Sequence, residues 1–411
     1  MWASLLIFAL SPIMLRTNRT DHKSATCNIL NLLLKTTGIT LLALLLSMAL
    51  EAPFSSSASA IFSNPEKNDF TLTDVYAQIA DGRPVRKMED RIAIVDIGLG
   101  GREEIADALE LLQLCGVKAV GVDVNFEEPH EDDSRLLGAI ASLPDIVLPL
   151  GVEPTGDKFR ITDKPFFLDM LDGPSYGVIN LPGTTSKSSI REFAVDFPME
   201  GGKEMPSFVS EVLRVAAPQA WKKLKQRDNR YEISSYHSRE FPIYTCENLA
   251  DNAEKLADKI VLIGALGDAY DMHSTPINSY MPGLMIHAHA LATALDGNWY
   301  ATMPRWADYL TAFAICFLIV LAVVGIKNGV RGLLVRIIQI VMVYAAVRIG
   351  YTLFIDHNLI CNFSNTLLMI AFGLFAVDIW NGMAALINMI RNKITKYRKR
   401  RLQDLTCENT F

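Results

Sequence analysis

Two carboxylates stand where short β-branched runs end: Asp96 in RIAIVDI (91–97) and Asp123 in VKAVGVDVNF (117–126). Open α/β sheets place ligands at the carboxyl ends of their strands, and these two strands are expected to be neighbours. Asp96 and Asp123 therefore lead the ligand-binding candidates. Glu127, Glu128, Asp132 and Asp133 follow closely. Together these acids could supply hard oxygen ligands to Mg²⁺ or Ca²⁺; they could equally cap helices and bond loop amides, with the later ones solvated. The reading taken is that Glu127 joins the ligand candidates and that neither a metal nor another cofactor is held. A second group follows KIVLIG (259–264), where Asp268, Asp271, His273, Ser274 and Thr275 precede Pro276. Asp268, Asp271 and Thr275 either close the rim of a pocket by hydrogen bonding to a ligand or organise their loop through Asx and ST turns.

Other patterns point away from familiar chemistry. His287 and His289 suggest zinc, but side chains two apart on a helix diverge by about 200° and cannot share one ion. One is expected to pack under the loop and the other to face solvent. Gly98, Gly100 and Gly101 resemble a phosphate cradle, yet Glu103 and Glu104 place negative charge on the following helix N-terminus, where it repels a phosphate. A tight turn is the better reading. G-x-S-x-G, H-E-x-x-H and Walker motifs are all missing. The six cysteines contain no CxxC pair; only Cys115 and Cys246 could pair outside the cytoplasm, and a small buried thiol is the commoner use.

The elements that must position these residues alternate in type. After RIAIVDI, the residues Ile105, Ala108, Leu109, Leu112 and Cys115 recur at helical spacing before Gly116, so a βαβ unit with VKAVGVDVNF is expected. Leu136, Leu137, Ile140 and Ala141 predict another helix, and DIVLPLGV (145–152) a third strand. Tyr176–Leu181 reads as a strand, and Pro206 opens a helix with Phe208, Val212 and Val215 on one face. The stretch from Lys222 to Arg230 reads as a solvated helix face. KIVLIG is a later strand, followed by a helix over 284–295 that Gly297 ends. The fold class is α/β, a three-layer domain with a mostly parallel sheet.

The rest of the chain is apolar. Of 411 residues 50% are apolar and 20% charged, the net charge is −6 and the mean hydropathy is +0.22. This is too charged for a chain of membrane helices alone and too apolar for an ordinary soluble protein; disorder and nucleic-acid binding are excluded as well. The expected layout is a cytoplasmic segment over 1–35, a first transmembrane helix or signal anchor over 36–50, an exported domain over 51–304, three transmembrane helices over 305–380 and a basic cytoplasmic tail over 381–411. Arg16, Arg19, Lys23 and Lys35 precede the first span, Lys327 and Arg331 follow the second, and Arg398 to Arg401 lie in the tail. Four crossings put each basic cluster inside. A rival reading of the start is a secretory signal cleaved after Ala58-Ser59-Ala60, beside a small-residue linker at 55–60. Within the spans, Arg336 and Asp378 lie at similar depth and could pair, while Arg348 snorkels or reaches the exported domain. The basic tail reads as a contact with anionic lipid.

Three segments carry a resemblance: IAIVDI (92–97), GVKAVGVDVNFEEP (116–129) and KIVLIGALGDAYDMHSTPINSYMPGLMIHAHALATAL (259–295). They resemble the type-2 CHASE family, cyclase- and histidine-kinase-associated sensory extracellular domains of bacterial receptors. The resemblance implies a sensory domain after one membrane helix and before three more. Family members commonly continue into a cytoplasmic kinase or cyclase, in place of which stands a short basic tail. The expected protein is a multi-pass receptor of the bacterial inner membrane, not itself an enzyme. Its extracytoplasmic domain binds a small ligand or an envelope protein, and it signals to a separate membrane or cytoplasmic partner; a homodimer suits such a receptor. The alternatives are a membrane-tethered metal-dependent hydrolase using Asp96, Asp123 and Asp271, and a scaffold subunit that does not signal.

Overall fold

The computed structural model describes residues 29–48, 72–83, 86–131, 133–182, 189–325, 331–361 and 364–408. Arg16, Arg19, Lys23, Cys27, the linker and A-x-A site at 55–60, Asp132 and Lys327 lie outside them, as do the side chains of Arg398 to Arg401. The chain divides into two units: residues 63–301 with 354–359, and the apolar segments in 1–62, 302–353 and 360–411.

The first unit opens with α1 (Leu72–Asp81), then β1 (Ile92–Asp96), α2 (Arg102–Cys115), β2 (Ala119–Asp123) and α3 (Asp133–Ser142). Next come β3 (Ile146–Thr155), β4 (Lys158–Asp163), β5 (Ser175–Val178), α4 (Phe208–Ala216) and α5 (Pro218–Lys225). β6 (Ile243–Thr245), β7 (Ile260–Gly264) and α6 (Gly283–Asp296) complete it, with shorter strand pairs between. Six strands run parallel in the order β6-β1-β7-β2-β3-β5, and β4 lies antiparallel on the far half of β3. The expected α/β class is thus the one found. The expected adjacency of β1 and β2 is not, because β7 lies between them: Gly264 faces both Asp96 and Asp123. β7 is buried at every position, and a strand apolar on both faces belongs in the middle of a covered parallel sheet.

Alternate residues of each strand feed two cores, as the strand period requires. Val95 and Val122 pack with Leu109, Leu112, Leu136 and Ile140 of α2 and α3. Ile94 and Leu262 pack with Phe208, Val212 and Leu291 of α4 and α6. Helices therefore cover both faces. The N-cap of α4 is Ser207, whose hydroxyl accepts the Ser210 N–H at 3.1 Å, while Pro206 belongs to the strand Glu204–Pro206. Close approach there requires glycine, since a Cβ on Gly177 would stand 2.6 Å from Phe208 Cα.

Among the described residues, Ile29–Met48, Trp306–Val324, Arg336–His357 and Thr366–Tyr397 are long and apolar enough to cross a membrane; they lie in the second unit except for the end of the third from 354 on. Ile39, Ala43, Cys316, Val320, Met369 and Val377 of the first, second and fourth form a shared core, against which Met342 of the third packs. The first helix already includes Ile29, ahead of the expected start at 36, because Lys35 extends its charge to Asn381 Oδ1 at 3.5 Å instead of breaking the helix. Leu359–Ile360 is a short strand, and the last helix runs unbroken from Ser364 to Glu408, past the expected boundary at 380. The Arg336–Asp378 pairing is corrected: Arg336 donates to Gln339 Oε1 at 3.0 Å, and Gln339 in turn donates to the Ile370 carbonyl at 3.2 Å. An arginine one turn from an amide on its own helix finds that partner first. Arg348 lies over the Tyr351 ring, 5.8 Å from its centroid.

Candidate functional site

The carboxyl ends of β1, β7 and β2 form one edge of the sheet, and the candidate carboxylates there have different duties. Asp96 Oδ1 accepts the N–H groups of Gly98 and Leu266, both at 3.0 Å. It ties the loop after β1 to the loop after β7. Asp268 accepts the Tyr270 N–H at 2.9 Å and starts a single 3₁₀ turn. Thr275 donates to the Asn278 carbonyl at 2.9 Å and accepts its N–H at 3.1 Å, closing an ST turn. It also lines a cavity of about 70 Å³ with Asp74, Gln78, Ser189 and Asn278.

Asp123 is different. Its side chain retains 13% of its exposure and faces His287 Nε2 of α6, which retains 6%, across 4.0 Å. That separation is too long for a hydrogen bond. Burial pushes the Asp123 carboxyl up to about 7; the negative charge of Asp271 adds to the rise and His273 opposes it. Burial pulls the His287 imidazole down to about 4, against Asp271 and the Ile179 carbonyl. Both shifts favour the uncharged forms of two facing groups.

Asp271 stands above them on the loop after β7. One of its oxygens meets His273 Nε2 at 3.0 Å and the other accepts the Gly283 N–H at 3.0 Å, so it caps α6 as an anion at a helix N-terminus does. A Cβ on Gly283 would approach the Asp271 oxygens to 2.5 and 2.6 Å, so only glycine admits this contact.

The remaining candidates are not gathered there. Glu127 and Glu128 are exposed, and Asp133 pairs with Arg102 and accepts the His130 N–H. Among the described residues no group of three or more His, Cys, Asp and Glu side chains is placed to hold a metal ion. Cys115 and Cys246 are free thiols. The turn after β1 is closed by protein groups: Gly98 has φ +55° and Glu104 accepts the Gly101 N–H at 2.8 Å.

The model of the CHASE2 domain matches residues 100–324. The chain belongs to the CHASE2 family. No curated protein and no solved structure matches it significantly. The protein is thus a multi-span membrane protein carrying a CHASE2 extracellular sensory domain between its first apolar helix and the later ones.

Two features of the CHASE2 domain escaped the reading of its sequence. His287 and His289 are both buried, at 5% and 3% exposure, so neither faces solvent. α6 is covered almost along its whole length, and its small alanines, not an amphipathic pattern, were the available signal. His289 packs against the rings of Phe241 and Tyr236, and burial pulls it down to about 3. The second is a ring of charge at the far end of α6. Glu89 binds Arg91 and Arg239, and Asp296 binds the same two arginines.

Proposed function

We propose that this CHASE2 protein is a receptor of the bacterial inner membrane that works by binding, and that its stimulus acts at the sheet edge formed by Asp123, Asp271, His273 and His287. The observation that carries this reading is the Asp123 carboxyl, nearly buried at the edge where such sheets bind ligands, 4.0 Å from His287 Nε2. The three carboxylates of a hydrolase do not act together there. Asp96 serves two loop amides and Asp271 serves the Gly283 amide and His273, whereas Asp123 faces His287. The stimulus, a small ligand or an envelope protein, favours one packing of the helices over another, because binding shifts only an equilibrium in which it has differential affinity. The helices then carry that shift to a separate signalling partner, with Arg391, Lys393 and Lys396 of the basic tail on anionic lipid.

The test is a thermal-shift screen of the full chain in detergent against metals, nucleotides, sugars and amino acids, joined to cross-linking and capture of envelope and membrane partners. A stabilisation lost in Asp123→Asn supports the reading. Absence of any stabilising compound together with absence of any captured partner overturns it.

A further inference from the structure

The Asp123–His287 gap poses a hydrogen-bonding problem. A neutral imidazole carries one N–H, and His287 Nε2 and Asp123 Oδ2 face each other across 4.0 Å, beyond hydrogen-bonding distance. With Asp123 ionised and the imidazole N–H on its other nitrogen, the two facing atoms are both acceptors. Nearly buried polar atoms left in this state lack what either would have in water. One more proton removes the conflict: a protonated carboxyl is a donor, and a shortening of the gap to about 3 Å lets it bond the imidazole lone pair.

The surroundings favour that proton. The titratable groups facing the pair are Asp271 and His273, both on the loop after β7. From α4 comes only the Phe208 ring, 5.2 Å from the His287 ring, from the end of β5 the Ile179 carbonyl, and from β7 Gly264, on which a Cβ would lie 3.1 Å from the Asp123 carbonyl oxygen. Asp271 is held in place by the Gly283 N–H, so its charge cannot swing away. Protonation of Asp123 removes the repulsion between the two carboxylates, whereas ionisation restores it beneath the first turn of α6.

We propose that the Asp123–His287 pair is a proton-binding site and that proton uptake there is a stimulus read by this CHASE2 domain. The inference rests on the reading of this sheet edge as the sensing edge. Hydronium gives a proton to Asp123 Oδ2 and leaves as water, so one O–H bond breaks as the carboxyl O–H forms. α6 is the element able to pass the change on. Its first residue is bonded to Asp271, it spans about 21 Å at 1.5 Å per residue, and its last residue, Asp296, is gripped by Arg91 and Arg239. The chain then continues through Gly297 and Trp299 to the helix that begins at Arg305.

The experiment is infrared difference spectroscopy of the full chain in detergent between pH 8 and pH 5, with protons as the only added probe, alongside Trp emission. A protonated-carboxyl band with a midpoint near neutrality is expected, absent from Asp123→Asn. In Asp271→Asn, whose amide oxygen still accepts the Gly283 N–H, the midpoint falls by about half a pH unit or more as the repulsion is lost; this variant decides the matter if Asp123→Asn does not fold. A band that survives Asp123→Asn, an unmoved midpoint in Asp271→Asn, or no band in the parent protein overturns the proposal. A ligand found by thermal shift while the infrared result is negative sinks the proton site alone. A clear proton titration with no ligand and no captured partner keeps the proton-binding site but overturns its role as a stimulus together with the receptor reading above.

Discussion

Arg239 and Asp296 are joined by a 2.6 Å contact between Nη2 and Oδ2, and the same guanidinium reaches Glu89 through Nη1, also at 2.6 Å. Arg239 is 9% exposed and Glu89 2%, so this nearly buried pair, with Asp296 beside it, clamps the end of α6 to the segment entering β1.

Glu89→Gln should therefore be costly. Losing one partner of a buried ion pair costs about 3 kcal/mol or more, because the other charge stays in place unpaired. Burial by itself raises the Glu89 carboxyl, but its bonds to Arg91 and the charges of Arg91 and Arg239 bring it below its ordinary value. The stabilisation is present above the ordinary pKa of 4.5 and is lost as pH falls through the lower folded value. Thermal unfolding of the full chain at pH 7 checks the loss, and a Glu89→Gln protein that melts with the parent contradicts it.

Asp123 gives the opposite slope. Its folded pKa is raised, so the folded state binds more protons than the unfolded state between about 4 and about 7. Stability should rise as pH falls from 8 towards 6.5, and Asp123→Asn should flatten this limb. Below about 6.5 the buried His287 and His289 and the half-buried His237, all pulled down by desolvation, bring a loss of stability as pH falls towards their folded values. Melting temperatures measured at half-unit pH intervals test both limbs.

Asp96 separates a structural acid from a charged one. Both amides it accepts fall on Oδ1, an atom asparagine retains. Asp96→Asn is expected to fold with stability close to the parent, while Asp96→Ala loses two hydrogen bonds worth about 1 kcal/mol each. Equal losses in both variants would show that the charge itself matters. Chemical unfolding of the two variants side by side resolves the difference.

Gly283→Ala probes the cap of α6. The new methyl meets the Asp271 carboxylate at 2.5 Å, and relieving such an overlap costs about 1–3 kcal/mol. Displacing Asp271 also moves its charge away from Asp123, so the carboxyl midpoint should fall together with the melting temperature. Gly138→Ala, where nothing lies within 4 Å of the new Cβ, is the control and should stabilise α3 by about 0.5–1 kcal/mol.

Periodicity exposed the elements of this fold more readily than their arrangement. RIAIVDI and KIVLIG are buried strands because runs apolar at consecutive positions suit a sheet covered on both faces. Ile105 to Leu112 form a helix because their spacing makes one apolar stripe. Of the candidate site, Asp123 and Asp271 are brought into electrostatic reach of each other, whereas Glu127 stays exposed, although the backbone on either side of it is held by Arg102 and Phe166. Spacing alone does not place His287 and His289: diverging imidazoles on a buried helix each find a pocket, and the alanines of α6 were the local signal that it is covered on both sides.

The sequence by itself determined how many long apolar helices there are, where the intervening domain falls, and which short runs become strands, since these depend on hydrophobicity over neighbouring residues. Only the tertiary structure decided that β7 lies between β1 and β2, that Asp96 bonds two loops while Asp123 faces an imidazole, and that Arg239 joins Glu89 to Asp296. The reason is physical: strand order and buried polar pairing are settled by which faces cover one another across the whole domain, and no window of sequence contains both partners.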